Sequence, residues 1–209
     1  MARAFDAIIV GTGQAGKPLA HALADEGRRV AIIERGRVGG TCIIDGCTPT
    51  KTMVASARVA HLASRSSDYG VETGQVFVRM SDVRTRKRAV VDEFSSSNRE
   101  ALVENPRIEL LEGTARFVDP GTLEVTSDAG DGAPRRIRSE QIFLDVGGRP
   151  RIPSIEGLEE VRHLTSTSIL ELDEVPRHLA ILGGGPVGLE FAQMFARFGA
   201  AVTIVELGS

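Results

Sequence analysis

The sequence predicts an α/β fold: a parallel sheet with helices, a small antiparallel β-meander, and the start of a second domain of the first type. Three observations predict this class. A short apolar strand runs into a glycine-rich turn and an apolar helix near the beginning of the chain. The same pattern returns 172 residues later, counted from Gly11 to Gly183. Between the two copies, helical periodicity gives way to short apolar runs separated by turn clusters.

The first copy has the form of a dinucleotide-binding βαβ unit. An apolar strand over 6–10 leads into Gly11-Thr12-Gly13-Gln14-Ala15-Gly16, a helical pattern follows, and a strand over 30–33 ends on Glu34. In this motif the first glycine makes the tight turn, the second lets the backbone approach a pyrophosphate, and the third allows close helix packing. An acid 23 residues after the first glycine is placed to bind a ribose hydroxyl. Together these features predict a Rossmann-like domain.

The second copy repeats the design, with a strand over 179–182, glycines at Gly183, Gly185 and Gly188, a helix over 189–198 and a strand closing on Glu206. Glu206 again lies 23 residues after the first glycine. Two copies imply two dinucleotides, which argues for an enzyme that uses a flavin and a nicotinamide nucleotide. The alternative is a gene duplication that kept its packing glycines without binding a nucleotide.

The segment between the copies divides into two helices and several strands. Apolar periodicity predicts helices over 49–65 and 81–104, with Ser81 as the N-cap of the second. Strands are expected over 108–118, 123–126 and 137–146, with reversals at 119–121 and 128–132. A Gly/Pro-rich crossing over 147–153 then separates a domain of residues 1–150 from an incomplete one of residues 151–209.

The two cysteines of the chain, Cys42 and Cys47, are interpreted as a redox pair. On an unbroken helix, residues five apart lie about 140° around the axis and about 7.5 Å along it, too far apart for a disulfide. A bridge therefore requires a break, for which Asp45 and Gly46 are suited. Pro49 suits a first helical turn, which places Cys47 near a helix N-terminus. Amides and the helix dipole favour a thiolate there, so Cys47 is expected to be the more reactive sulfur.

Composition limits the alternatives. A formal net charge of -3 argues against nucleic-acid or anionic-membrane partners, and the apolar run 7–10 is too short for a signal peptide or a membrane span. We therefore expect cytoplasmic residence, where a disulfide is more often catalytic or sensing than structural. Two other interpretations of the cysteines stay open, buried structural thiols and a zinc site. No metal site is predicted, because none of the four histidines has the usual ligand spacing.

At this point the residues resemble the class I pyridine nucleotide-disulfide oxidoreductases, FAD-dependent enzymes that include dihydrolipoyl dehydrogenase, glutathione reductase and mercuric reductase. The resemblance covers the whole chain, as the N-terminal portion of such an enzyme. It is carried by the first fingerprint with Glu34, the Gly39-Gly40-Thr41-Cys42 and Gly46-Cys47 signature with Lys51, the Gly113-Thr114-Ala115 strand, the Gly147-Gly148-Arg149-Pro150 crossing and the second fingerprint. Residues 48–53 look closest to mercuric reductase-like members.

The resemblance implies the cofactors and the role of each site residue. Cys47 would accept electrons from the flavin, Cys42 would be the exchange thiol that faces substrate, and Lys51 would lie near flavin N5. The implied FAD-binding residues are Gly11, Gly13, Gly16, Glu34, Gly40, Thr41, Lys51, Ala115 and Gly147. Those implied for the nicotinamide nucleotide are Gly183, Gly185, Gly188, Glu190 and Glu206. The implied substrate is a small-molecule disulfide or a metal ion.

The chain departs from the family pattern at several positions. Ile44 and Val146 stand where the family commonly has Asn and Thr, and the Glu206 carboxylate favours NAD(H) over NADP(H). The family continues with a dimer domain that carries a His-Glu pair, so we expect this chain to be the N-terminal part of a homodimeric enzyme, inactive as an isolated fragment. The alternative is a non-catalytic nucleotide-binding or redox-sensing module, complete as 209 residues.

Overall fold

The structure is a computed structural model that describes residues 2–127, 133–206 and 208. Its contacts divide the chain into two compact units, each made of two segments. The first unit comprises residues 1–44 and 91–149, and the second comprises residues 45–90 and 150–209.

Ten strands and five α-helices make up the regular structure of these residues. The strands are β1 (Arg3–Ala4), β2 (Ala7–Val10), β3 (Val30–Glu34), β4 (Ile108–Glu112), β5 (Thr114–Asp119), β6 (Thr122–Thr126), β7 (Arg135–Arg138), β8 (Ile142–Leu144), β9 (His178–Leu182) and β10 (Ala201–Val205). The helices are α1 (Gly16–Asp25), α2 (Gly40–Ile44), α3 (Cys47–Ser64), α4 (Met80–Glu104) and α5 (Pro186–Phe198). Short 3₁₀ turns follow α3 and precede β9.

A parallel sheet with the strand order β4-β3-β2-β8 forms the centre of the first unit. Successive side chains point to opposite faces of a strand, so the continuous apolar runs of β2 and β3 supply two cores at once. Ile9 and Ile32 pack with α1 and with Leu102 on one face. Ile8 and Ile33 pack on the other face against the second sheet of the unit. Both faces of the parallel sheet are therefore covered.

The second sheet has the order β1-β7-β6-β5, in which β5, β6 and β7 form an antiparallel meander. Its inward side chains close the core below the parallel sheet, and these are Leu123, Val125 and Ile137. The parallel sheet with helices and the small meander confirm the predicted fold class.

Two predicted strands are each divided in the structure, so their predicted extents were wrong. The strand predicted over 108–118 breaks at Gly113, whose φ of +150° suits glycine and whose Cβ would lie 2.3 Å from the Thr126 carbonyl oxygen. The strand predicted over 137–146 breaks at Ser139, whose hydroxyl donates to the Asp6 carbonyl (3.1 Å) and accepts from the Gln141 amide (3.0 Å). The break thus coincides with two hydrogen bonds of the Ser139 hydroxyl, one of them to a residue 133 positions away.

The predicted turns and helix starts have mixed outcomes. The reversal at 119–121 is confirmed, since the Gly121 amide donates to the Asp119 side chain (3.0 Å). The reversal predicted at 128–132 lies outside the described residues. Ser81 was expected to cap a helix, but α4 already begins at Met80, so Ser81 lies within its first turn. The boundary between residues 150 and 151 stays a prediction.

The second unit packs α3 and α5 with a parallel pair of strands, β9 and β10. Met53 and Ala57 of α3 are fully buried in one cluster with Phe191, Met194 and Phe195 of α5. This pair of strands with its helix confirms the start of a second Rossmann-like domain. Within the described ranges, no helix combines the length and the apolar character needed to cross a bilayer.

Adjacent residues near the end of α4 test the core assignment. Leu102 is fully buried and Val103 is 54% exposed. We expect Leu102→Ala to lower the free energy of unfolding by about 2–5 kcal/mol, through lost burial and a residual cavity. Val103→Ala is expected to change it by less than about 0.5 kcal/mol, as for other surface substitutions. Urea unfolding followed by circular dichroism measures both; equal losses would contradict the assignment.

Candidate functional site

The three glycines of the first fingerprint lie where the turn leaves little or no room for a side chain. Gly11 has a φ of +105°, and a Cβ on Gly16 would lie 2.4 Å from the Gly11 carbonyl oxygen. A Cβ on Gly13 would lie 2.6 Å from the Asp145 carboxylate. Backbone atoms leave no space for a side chain at Gly11 or Gly16, and a side chain at Gly13 would displace the Asp145 carboxylate. The turn therefore fits a pyrophosphate at the N-terminus of α1.

Glu34 at the end of β3 binds the same turn through its carboxylate. Its Oε2 accepts from the Thr12 amide (3.1 Å) and from the Thr12 hydroxyl (2.5 Å), and its Oε1 accepts from the Gly36 amide (2.9 Å). The buried Thr12 hydroxyl in turn accepts from the Gly39 amide (3.1 Å). The Thr12 side chain thus links Glu34, the acid predicted to bind the ribose, to Gly39, where the cysteine signature begins.

Gly40 places α2 directly on the fingerprint turn. Its φ is +64°, and a Cβ there would lie 2.5 Å from the Gly13 Cα atom. Gly147 also has a positive φ, +68°, and a Cβ on it would lie 3.6 Å from the Thr41 hydroxyl. The fold therefore brings Gly40 to Gly13 and Gly147 to Thr41. The sequence had assigned all four residues to FAD, although they come from three separate segments of the chain. Their roles in binding stay predictions.

Ala115 lies in β5 of the second sheet. It is half-buried and packs against the cluster that includes Leu123 and Val125. Its backbone contact with an adenine stays a prediction.

Asp145, which the sequence analysis did not select, caps α1 from a distance. Its Oδ2 accepts from the Gly16 amide (2.8 Å). The N-cap residue of α1 is Ala15, which makes no side-chain cap hydrogen bond. A carboxylate at a helix N-terminus satisfies a free amide and complements the helix dipole. Asp145 was missed because it follows β8, and only the sheet topology brings that strand end beside β2.

Lys17 is the second residue that the sequence analysis missed. Lys17 is one of the buried residues of α1, with 8% of its surface exposed, and its Nζ donates to Asn98 Oδ1 (2.5 Å). Burial lowers the pKa of Lys17, and negative charge on Cys42 and Asp145 opposes this shift. A signal was present in the sequence, since Lys17 shares a helical face with Ala20 and Ala24.

The cysteine segment contains the break that the spacing required. α2 ends at Ile44 and α3 begins at Cys47, so the helix is interrupted at Asp45 and Gly46. Cys47 is the first residue of α3, which confirms its predicted place at a helix N-terminus. Cys42 is half-buried in the first unit and Cys47 is exposed in the second. Both are thiols in the structure.

In the second unit, Lys51 and Glu190 meet side chain to side chain. Lys51 Nζ on α3 donates to Glu190 Oε1 on α5. The pair borders a cavity of about 330 Å³ between the two helices. Its further lining residues include Val54, Pro186, Leu189 and Gln193. The Lys51 side chain is 65% exposed, so Lys51 is a surface cation that is paired with Glu190.

The second fingerprint repeats the first in backbone detail. Gly183 has the same φ as Gly11, +105°, and a Cβ on Gly188 would lie 2.2 Å from the Gly183 carbonyl oxygen. Gly185 is the N-cap residue of α5. The Glu206 carboxylate accepts from the Gly184 amide, as Glu34 does from Thr12. Both fingerprints thus keep the close packing and the acid that a bound dinucleotide needs.

No group of three or more metal-ligating side chains occurs among the residues that the structure describes. The donor chemistry on both fingerprints is that of a nucleotide site. Each has a glycine turn at a helix N-terminus and a strand-end carboxylate.

Comparisons with known proteins agree with this chemistry. The chain is 33% identical over 202 residues to a mercuric reductase from Lysinibacillus sphaericus, which covers 97% of the chain and 36% of that protein. It is 40% identical over 208 residues to the probable pyridine nucleotide-disulfide oxidoreductase RclA of Escherichia coli, covering 98% of the chain and 43% of that protein. The chain therefore spans less than half the length of these relatives.

A solved structure matches over the whole chain. It is the Cu(II) complex of the HOCl-induced flavoprotein disulfide reductase RclA from Escherichia coli, with a TM-score of 0.84 and 37% identity, covering 100% of this chain and 43% of that one. The family model described as pyridine nucleotide-disulphide oxidoreductase matches residues 5–209. The chain belongs to the pyridine nucleotide-disulphide oxidoreductase family.

Proposed function

We propose that this chain is the cofactor-binding part of an FAD-dependent oxidoreductase that passes electrons from NADH to a Cys42–Cys47 disulfide and then to a substrate. The overall reaction consumes NADH, one proton and a disulfide, and yields NAD⁺ and a dithiol. The observation that carries the proposal is the repeat of one fingerprint geometry in two units, with a cysteine signature directly after the first.

FAD, when bound, would supply a two-electron carrier between the nicotinamide and the sulfurs. In this proposal the turn formed by Gly11, Gly13 and Gly16 holds the pyrophosphate, and Glu34 holds the adenosine ribose. Gly40, Thr41 and Gly147 line the remainder of the site, with Ala115 at the adenine. Lys51 is assigned in this proposal to the flavin N5 end, and its ammonium is paired with Glu190.

The two sulfurs take different roles in this proposal. Cys47 is the first residue of α3, and in this proposal it is assigned as the sulfur that accepts electrons. Cys42 is assigned as the exchange thiol. Its thiolate attacks a substrate disulfide and releases one thiol, and Cys47 then attacks the mixed disulfide, which releases the second thiol and restores the pair.

The nicotinamide nucleotide is assigned to the second fingerprint, formed by Gly183, Gly185 and Gly188. Its acid, Glu206, directly follows β10, and the Glu206 carboxylate accepts a hydrogen bond from the Gly184 amide. A carboxylate at this position accepts a ribose 2′-hydroxyl and repels a 2′-phosphate, which favours NADH.

Several finer statements belong to the same proposal. Residues 1–150 are assigned to the FAD-binding domain and residues 151–209 to a part of the nicotinamide domain. The substrate class is a small-molecule disulfide or a metal ion, the two classes named for the relatives. Homodimer formation and cytoplasmic residence are expected from the resemblance and the composition.

The redox role of the pair is tested in the full-length protein purified with its flavin. After anaerobic titration with one equivalent of NADH, we expect two newly alkylated cysteines per chain and a long-wavelength absorption band from a thiolate beside the flavin. Cys47→Ser is expected to abolish the band. Cys42→Ser, the matched control, is expected to keep a thiolate at position 47 and thus the band. A preparation without flavin, or equal spectra for both variants, would favour the non-catalytic module.

The repeat supplies a matched pair of variants for the nucleotide assignments. We expect Glu206→Ala to lower the preference for NADH over NADPH, measured as the ratio of kcat/KM values, by about 10-fold, because one repulsive charge is removed. Glu34→Ala is expected to lower the bound flavin per chain and to leave that ratio unchanged. Flavin content is measured by absorbance after denaturation. An unchanged ratio in Glu206→Ala would reject the assignment of Glu206.

A further inference from the structure

Asp145 is a second carboxylate on the first fingerprint turn, and the proposed reaction assigns no role to it. Its Oδ2 accepts a hydrogen bond from the Gly16 amide at 2.8 Å. The same oxygen would lie 2.6 Å from a Cβ on Gly13 and 2.9 Å from a Cβ on Gly16. The carboxylate is therefore packed directly against these two glycines, at the point where α1 begins.

The backbone of Asp145 fixes where its carboxylate lies. The Asp145 amide donates to the Val10 carbonyl oxygen at 2.8 Å, at the ends of the paired strands β2 and β8. The Asp145 carbonyl oxygen would lie 2.0 Å from a Cβ on Gly11. Asp145 thus contacts the turn through both its main chain and its side chain. The carboxylate leaves the turn only if its hydrogen bond to the Gly16 amide is broken.

The two amides that precede Gly16 lack a hydrogen-bond partner in the described part of the chain. Gln14 and Ala15 are exposed, and within residues 2–127, 133–206 and 208 their amides donate to no acceptor. Free amides at a helix N-terminus attract an anion. The run of amides at 14–16 therefore has two free members beside one that Asp145 already occupies.

Direct ion pairs do not neutralise Asp145. Among the residues that the structure describes, none of the ion pairs includes its carboxylate. Lys17 supplies a cation in the same turn of α1, but its ammonium donates to Asn98 Oδ1 at 2.5 Å. Glu34 adds a further carboxylate, which accepts from the Thr12 amide. The turn therefore holds an anion beside the amides that suit an anionic ligand.

We propose that Asp145 sets the affinity of the first fingerprint for the FAD pyrophosphate: its carboxylate weakens the binding of this second anion. Two like charges on one short turn repel each other, and the half-buried position of Asp145 limits screening by salt. The inference rests on the proposed function and deepens it, because it names a residue that determines how tightly the flavin is held.

Calorimetric titration of the flavin-free full-length protein with FAD measures this effect without any turnover. We expect Asp145→Asn to lower the Kd for FAD about 10-fold, because one charge is removed from a partly desolvated site. The Asn side-chain oxygen can still accept from the Gly16 amide. Asp145→Ser also offers a neutral acceptor, and it is expected to lower the Kd even if Asp145→Asn does not fold.

Asp6→Asn is the matched control. Asp6 directly precedes β2, at the opposite end of that strand from the fingerprint, and its Oδ2 accepts from the Arg29 amide at 2.7 Å. The control removes the same charge from the same kind of hydrogen bond, and we expect it to leave the Kd for FAD unchanged.

Displacement of FAD by ADP and by adenosine separates an effect of charge from a change in shape. Asp145→Asn is expected to tighten the binding of ADP about 10-fold, because ADP carries a pyrophosphate. The binding of adenosine, which has no phosphate, is expected to stay unchanged. The proposal is overturned if neither variant of Asp145 lowers the Kd for FAD, if Asp6→Asn lowers it equally, or if adenosine gains as much as ADP.

The outcomes for Asp145 and for the redox cycle can be separated. A lowered Kd in a protein that does not reduce its disulfide with NADH would support the role of Asp145 and reject the proposed function. An unchanged Kd in a protein that completes the redox cycle would reject the role of Asp145 and support the proposed function.

Discussion

The close approach of α1 to the end of β2 is the constraint on which the first unit depends. A Cβ on Gly16 would lie 2.4 Å from the Gly11 carbonyl oxygen. The helix can therefore approach the strand this closely only because residue 16 is glycine. Because the helix begins there, its first amides point out of the turn and need partners from outside. Asp145 supplies the partner for the Gly16 amide, while the Lys17 and Leu19 amides donate to the Gly13 and Ala15 carbonyl oxygens. Thr12 and Gly40 then fix the cysteine segment against the same turn.

Charge at this turn is balanced by a group that is itself almost buried. The Asp145 carboxylate already lies at the N-terminus of α1, and a bound pyrophosphate would add more negative charge. Without a cation the two would repel each other in a partly desolvated region. Lys17 provides that cation from inside the unit, so it leaves the exposed edge of the turn free for a ligand. A surface cation at the mouth of the turn would instead compete with the ligand for space.

The two fingerprints show how one backbone serves different chemistry. They share the φ of the first glycine, the contact of the third glycine, and the hydrogen bond from the turn to a strand-end carboxylate. They diverge in the two residues after the third glycine. The first copy has Lys17 and Pro18 there, and the second has Leu189 and Glu190. In the second unit Glu190 binds Lys51 beside a cavity, whereas in the first unit Lys17 is buried and donates to Asn98.

The sequence by itself determined the local elements of this protein: both fingerprints, the helix break between the cysteines, and the start of α3 at Cys47. Glycine conformations, apolar periodicity and helix caps depend on only a few neighbouring residues, so they can be recognised from the sequence. The sequence did not predict the features that depend on tertiary contacts. The strands around Gly113 and Ser139 break because of contacts with Thr126 and Asp6, which are distant in sequence. The cap of α1 by Asp145 and the burial of Lys17 against Asn98 likewise join residues 129 and 81 positions apart. Only the folded sheet and the packing of α4 bring those side chains together, because long-range hydrogen bonds leave no periodic signal in a single sequence.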